Sequence, residues 1–157
     1  MKKLFAIVLT FALLASLSVT AFAANTTGGE ADITTSIAPT YTVTIPADVN
    51  VAFNATETAF GTIEVTASQI HPNKCIKVEL TSDGKLENSI DATKVIPYAI
   101  KDSTGAAFTS ATYLTEGDKT ELSIHISADD WNAAYAGDYS DTVTFTVAVK
   151  TVSNNTI

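Results

Sequence analysis

Apolar and polar residues alternate along most of this chain, a pattern typical of β-strands with one buried and one solvated face. The first such run places Tyr41, Val43 and Ile45 on one face, with threonines between them, and it ends at Pro46. Further alternating runs lie at residues 49–53, 63–65, 76–80, 96–100, 122–126 and 139–149. Because the β-branched Thr, Val and Ile of these runs pack well on a pleated surface, the pattern predicts an all-β fold.

One stretch departs from this alternation. Residues 128–137 lie between the last two runs and have helical composition, so we expect one or two helical turns that end at Gly137. Pro97, in the fifth run, indicates an edge strand because proline cannot donate to a ladder. About seven to eight short strands, without alternating helices, predict an antiparallel Ig-like or pilin-like β-sandwich with Greek-key connections and one short helix.

The N-terminus has the pattern of a secretory leader. Lys2 and Lys3 precede an apolar run over residues 4–17, and residues 21–23 supply the small side chains of a cleavage site. The apolar run is shorter than the ~20 residues that a membrane-spanning helix needs. We therefore expect a signal peptide over residues 1–23, no membrane span, and a bacterial protein that is secreted to the extracellular space or the cell surface.

Beyond the leader, the chain divides into three predicted parts. Residues 24–39 form a flexible N-terminal segment or a donor strand, and residues 40–152 form the β-sandwich domain. Residues 153–157 are a short tail. No linker divides the sandwich, so we expect a single domain.

The charge of the chain limits its partners. The net charge is −8 with a pI near 4.5, and losing Lys2 and Lys3 with the leader leaves −10. Nucleic acid and anionic membranes are poor partners for so acidic a protein. Cys75 is the single cysteine, so no internal disulfide can form, and a free thiol, a buried thiol and a bond to another chain all remain open.

Two segments resemble known surface proteins. Residues 41–47 and 136–147 resemble the first and last core strands of small exported bacterial β-sandwich proteins. The second segment is also similar to the closing strand of spore coat protein U and of related pilin-like domains. This resemblance covers about twenty residues closely, and it implies a sandwich fold and a location at the cell surface.

Catalysis and metal binding have few candidate residues. Cys75 and His71 lie four residues apart, but nothing in the sequence places them together, so we expect no enzymatic activity. Calcium prefers several oxygen ligands at close range. The carboxylates that flank the predicted helix are therefore candidate calcium ligands, although their spacing matches no EF-hand loop: Asp129, Asp130, Asp138 and Asp141. We expect no other cofactor.

Aromatic residues near the predicted loops are candidates for carbohydrate binding. Trp131, Tyr135 and Tyr113 would offer flat platforms to a sugar. The alternative is that Trp131 closes the end of the core, and that Tyr139 packs and forms hydrogen bonds as a corner tyrosine does.

The N-terminal segment suggests assembly by strand exchange. Ala31, Ile33 and Ile37 lie on one face of a short run after Gly28 and Gly29, which is the alternation that a donor strand needs. The same segment could instead pair within its own domain or stay disordered. We expect a secreted, non-enzymatic structural or adhesive subunit of the cell surface that pairs with itself or with other surface proteins. The alternative is a secreted module that binds carbohydrate or a cell-wall polymer.

Overall fold

The computed structural model describes residues 32–152 of the chain. The predicted leader, Ala31 and the tail at residues 153–157 lie outside these described residues. Strands make up about half of the described part, and the element at 128–133 is its one helix. The predicted all-β fold with a short helix is therefore confirmed, and the pairs within each sheet are antiparallel.

Ten strands and one helix follow one another along the described residues. In chain order they are β1 (Thr40–Thr44), β2 (Glu57–Gln69), β3 (Lys74–Thr81), β4 (Lys85–Asn88), β5 (Val95–Pro97), β6 (Ala99–Asp102), β7 (Ser110–Tyr113), β8 (Lys119–His125), α1 (Ala128–Ala133), β9 (Tyr139–Ser140) and β10 (Thr144–Thr151). They form three sheets with the orders β1-β2-β8-β6, β10-β3-β7 and β5-β4-β9. The sandwich arrangement and its Greek-key connections stay predictions.

A shared hydrophobic core holds these sheets together. Its fully buried side chains come from β2, β3 and β5, and they are Ile63, Val65, Ile76, Val78 and Ile96. Phe60 of β2 and Phe145 of β10 pack with ring centroids 6.0 Å apart, which brings the first and second sheets into contact. Burying five such side chains removes apolar surface from water, and each contributes about 1.5–3 kcal/mol.

Three predicted strands differ in the structure. The run at 139–149 divides into β9 and β10, which belong to different sheets. Residues 49–53 form no strand, because the chain turns where the backbone N–H of Ala55 bonds to the carbonyl oxygen of Ala52. The run at 96–100 divides at Tyr98 between two sheets. The N–H of Tyr98 bonds to Gly84 beside β4, whereas Ala99 is already opposite His125 of β8.

Strand β2 bends at Gly61, where the register with β8 shifts by one residue. The φ of Gly61 is +137°, and an added Cβ would lie 3.1 Å from the Cβ of Pro46. Glycine is therefore favoured at this position for two reasons, which are the positive φ of the backbone and the close approach of Pro46. No helix within residues 32–152 is long and apolar enough to cross a membrane.

Candidate functional site

Strand β10 is an open edge of the second sheet. It pairs with β3 on one side, and no strand within residues 32–152 pairs with it on the other. The N–H of Val152 bonds to the carbonyl oxygen of Asn73, so the even-numbered residues of β10 direct their backbone groups towards β3. Backbone groups alternate in direction along an antiparallel strand. Phe145, Val147 and Val149 therefore direct their N–H and C=O groups away from β3, where no backbone partner meets them among the described residues.

The side chains of β10 do little to protect this edge. Thr144 and Thr146 are exposed, whereas Phe145 and Val147 are half-buried against the core. The ladder with β3 runs over eight residue pairs without a bulge, and Lys150 is the single charged residue of the strand. Natural edge strands usually carry charges, prolines or bulges that block further pairing. This edge has one lysine near its end, so a further strand can pair along most of it.

The segment at residues 32–39 is exposed, belongs to no helix or strand and joins no sheet in the described part of the chain. Ile33 is 99 % exposed and Ile37 is 69 % exposed. Such apolar side chains are usually covered when they lie in a row. The pairing of this segment within its own domain, one of the alternatives above, is absent from the structure, and Ala31 lies outside the described residues.

The proposed sugar platform at Tyr113 is wrong. Tyr113 is only 3 % exposed, because β7 places it opposite Ile76 in the core. Its hydroxyl donates to Oγ1 of Thr120 at 2.9 Å, and burial raises the pKa of the phenol. The ring therefore has no face that a sugar could reach.

Trp131 and Tyr135 lie near the surface, but each ring already has a partner. The Nε1 of Trp131 donates to the carbonyl oxygen of Ala55 at 2.8 Å, and Phe53 meets the indole edge-on with centroids 5.6 Å apart. Tyr135 is 63 % exposed, and the Nζ of Lys94 lies 4.9 Å above its ring centroid. Phe53, which is 77 % exposed, was missed by sequence reasoning because its alternation with Val51 suggested a strand facing the core.

Tyr139 behaves as a corner tyrosine, as predicted. Its hydroxyl donates to the carbonyl oxygen of Tyr135 at 3.0 Å and accepts from the N–H of the same residue at 3.1 Å. These two bonds hold the chain between α1 and β9. Gly137, which was expected to end the helix, lies beyond it: α1 ends at Ala133, and the N–H of Ala134 caps it by bonding to Trp131.

The four candidate calcium ligands do not come together. Asp130 lies in the first turn of α1, where its N–H donates to Oγ of the helix cap Ser127 at 3.0 Å. Asp141 accepts hydrogen bonds from the hydroxyl of Tyr98 and from the N–H of Thr142. Neither Asp129 nor Asp138 joins them, and residues 32–152 contain no group of three His, Cys, Asp or Glu side chains placed to hold a metal ion.

Cys75 is buried, at 5 % exposure, which is one of the states that the sequence left open. β10 pairs with the start of β3, where Cys75 is opposite Lys150 and its Sγ donates to the carbonyl oxygen of that lysine at 3.6 Å. His71 lies in the exposed turn before β3. Cys75 and His71 are therefore not placed to act together as a nucleophile and its base.

A polar cluster that sequence reasoning missed surrounds His125. Its Nε2 lies 2.9 Å from Oγ of Ser123 and 3.9 Å from Oε1 of Glu57. A serine nucleophile with a histidine base needs the acid on the other ring nitrogen, and here both groups approach the same one. Lys101 and Asp130 line an open depression of about 380 Å³ beside this histidine. The cluster thus lacks the geometry of a catalytic triad.

Comparison with known proteins gives no family for this chain. No protein-family model matches it, and no curated protein matches its sequence. The resemblance to spore coat protein U and pilin-like domains stays a prediction. Function is therefore inferred from the open edge of β10, the exposed segment at residues 32–39 and the exposed aromatic rings themselves.

Proposed function

We propose that this protein is a secreted, non-enzymatic structural or adhesive subunit of the bacterial cell surface, and that its copies assemble by strand addition. The observation that carries the proposal is the coexistence of an acceptor and a donor in one chain. The acceptor is the open edge of β10 (Thr144–Thr151), and the donor is the unpaired segment at residues 32–39 with its exposed isoleucines. Main-chain hydrogen bonds supply affinity in such an addition, and alternate side chains supply specificity.

The energetic argument also favours assembly. Ile33 and Ile37 would each gain about 1.5–3 kcal/mol if they moved from water into an apolar groove. The half-buried rims of Phe145 and Val147 offer apolar surface next to the open edge. A strand laid there satisfies the backbone groups of β10 and covers both isoleucines at once.

The experiment compares two lengths of the protein by light scattering after size exclusion. One protein starts at residue 24, the predicted mature N-terminus, and the other starts at Pro39, so that only residues preceding β1 are removed. We expect concentration-dependent oligomers from the longer protein and a monomer from the shorter one. Two monomers at the highest soluble concentration would overturn the proposal.

A second candidate is a secreted module that binds carbohydrate or a cell-wall polymer. The exposed rings of Phe53 and Tyr135 favour it, since flat aromatic surfaces suit the apolar faces of sugars. Trp131 is the single tryptophan, and it contacts Phe53 directly. Titration with soluble wall polymer should then shift the fluorescence of Trp131, and Phe53→Ala should weaken that shift. An unchanged spectrum at saturating polymer would exclude this candidate.

A further inference from the structure

We propose that residues 32–38 of one copy add antiparallel to β10 (Thr144–Thr151) of a second copy, with Ile33 opposite Val149 and Ile37 opposite Phe145. This inference rests on the proposed function, since it names the acceptor edge and the register of the same assembly. Three independent features of the two segments select this arrangement. They are the direction of the backbone groups, the position of the charges and the position of a proline.

The backbone of β10 sets which residues can pair. The N–H of Val152 bonds to Asn73, so the even-numbered residues of β10 direct their backbone groups towards β3. The odd-numbered residues Phe145, Val147 and Val149 therefore direct their N–H and C=O groups towards the open side. In the proposed register these groups pair with the backbone groups of Ile33, Thr35 and Ile37, and Thr35 lies opposite Val147. The pair of isoleucines is four residues apart, as are Phe145 and Val149. Apolar side chains therefore coincide on the side of the strand that faces the core.

Charge distinguishes the antiparallel from the parallel direction. The antiparallel register puts Asp32 opposite Lys150. A second cation lies nearby, because Nζ of Lys74 donates a hydrogen bond of 2.7 Å to Oγ1 of the neighbouring Thr151. A parallel strand with the same isoleucine matching would put Asp32 beside Thr144, close to Asp141. Opposite charges across a strand pair are favourable by roughly 0.2–1 kcal/mol, and like charges are unfavourable.

Pro39 sets where the added strand ends. In the antiparallel register it lies opposite Val143, one residue before β10 begins, so its missing N–H breaks no ladder bond. In the parallel register it would lie opposite Thr151, within β10, where a donor is needed. The donor strand therefore stops where the acceptor strand begins.

A second copy is the occupant because the donor cannot easily reach β10 of its own chain. Residue 39 leads directly into β1, and β1 pairs with the end of β2 in the first sheet, whereas β10 belongs to the second sheet. In the structure the segment makes no pairing with β10 of its own chain. Addition between copies leaves each chain with one donor and one acceptor, which is a head-to-tail interface that can extend into a filament.

Cysteine cross-linking tests the register. The protein starting at residue 24 carries Cys75→Ser, which keeps a donor towards the carbonyl oxygen of Lys150, together with Thr34→Cys and Ala148→Cys. These two positions are opposite in the proposed register, where Cα atoms lie about 4.5 Å apart and a disulfide can form. The matched control pairs Thr34→Cys with Thr146→Cys, a diagonal pair about 7–8 Å apart that exceeds the reach of a disulfide.

We expect mild oxidation to give covalent dimers and a ladder of higher species with the first pair, and at least tenfold less with the control pair. Stronger linking of the control pair would indicate the parallel direction and overturn the inference. A disulfide within a single chain would overturn it as well. Oligomers that persist in light scattering without either cross-link would place the added strand elsewhere, which refutes this inference and leaves the proposed function standing. A monomer by light scattering refutes both.

Discussion

The indole Nε1 of Trp131 donates a hydrogen bond of 2.8 Å to the backbone carbonyl oxygen of Ala55. This bond joins the short helix α1 (Ala128–Ala133) to the loop that precedes β2, 76 residues earlier in the chain. Phe53 covers the edge of the same indole, and Asn54 beside it adopts a φ of +63°, which Asn tolerates better than most residues. One tryptophan therefore anchors a loop that has no strand of its own.

Loss of this bond should destabilise the fold. Trp131→Phe keeps an aromatic ring but removes the donor, and it leaves the carbonyl oxygen of Ala55 partly buried without its partner. We expect the free energy of unfolding to fall by about 1–3 kcal/mol. Urea unfolding followed by far-ultraviolet circular dichroism measures this. Phe53→Ala is the control and should cost less than about 1 kcal/mol, because that ring is mostly exposed. Equal midpoints for Trp131→Phe and the parent would contradict the prediction.

Gly137 should be the least replaceable glycine near α1. Its φ is +143°, and an added Cβ would lie 2.5 Å from Nδ2 of buried Asn88, whose Oδ1 accepts the N–H of Ile90. Gly137→Ala therefore strains the backbone and displaces this amide, with an expected cost of about 2–4 kcal/mol. Gly105→Ala is the matched control, since its φ is +83° but its Cβ would meet nothing within 4 Å. Thermal unfolding compares the two, and a Gly137 variant as stable as the Gly105 variant would refute the steric argument.

Tyr98 should make the protein less stable at alkaline pH. Burial, together with the hydrogen bond to Asp141, raises the pKa of its phenol from 10.0 to about 12. The folded state therefore holds this proton more tightly than the unfolded state. Its contribution is fully present below pH 10 and is lost as the pH rises from about 10 to about 12.

Urea unfolding at a series of pH values tests this effect. Tyr98→Phe should flatten the loss of stability above pH 10, and Asp141→Asn should reduce it partly because one cause of the raised pKa is removed. A smaller loss remains in both variants, since burial also raises the pKa of Tyr113. A Tyr98→Phe protein that loses stability as steeply as the parent would show that another group is responsible.

The charges at one end of β10 should control the strength of assembly. Asp32→Lys places like charges together near Lys150, so the dissociation constant measured by analytical ultracentrifugation should rise by about two- to tenfold. Lys150→Glu alone should weaken assembly similarly, and the double variant should recover most of the loss. Asp48→Lys, an exposed substitution of the same charge in the loop after β1, is the control and should change little. Failure of the double variant to recover would contradict the pairing of these two residues.

Several elements could be predicted from local pattern because the strand period is visible in sequence. Ile76 and Val78 alternate with Lys77 and are fully buried. Tyr139 could be placed at a corner from its position before the last strand, and its hydroxyl bonds back to Tyr135. These features depend on neighbours within a few residues, so they can be predicted from the sequence without knowledge of the fold.

Other positions were misread because distant chain segments decide them. Phe53 continues an alternating run, yet the turn at residues 52–55 directs it into solvent over Trp131. Tyr113 lies in a four-residue strand with no clear period, and its burial follows from pairing with Ile76, 37 positions earlier. Cys75 lies on the same strand face as exposed Glu79 and is buried all the same, and its Sγ bonds to the carbonyl oxygen of Lys150 in β10.

The sequence by itself determined the all-β class, the short helix near residue 130 and the apolar alternation of residues 33–37, since each follows from side chains a few positions apart. Only the tertiary structure decided that β10 has one neighbour, that the segment at 32–39 has none among the described residues, and that the four aspartates stay apart. The physical reason is that a strand's faces are set by its own period of two, whereas its partners are set by long-range packing of a common core. Whether an edge is open is a property of that packing.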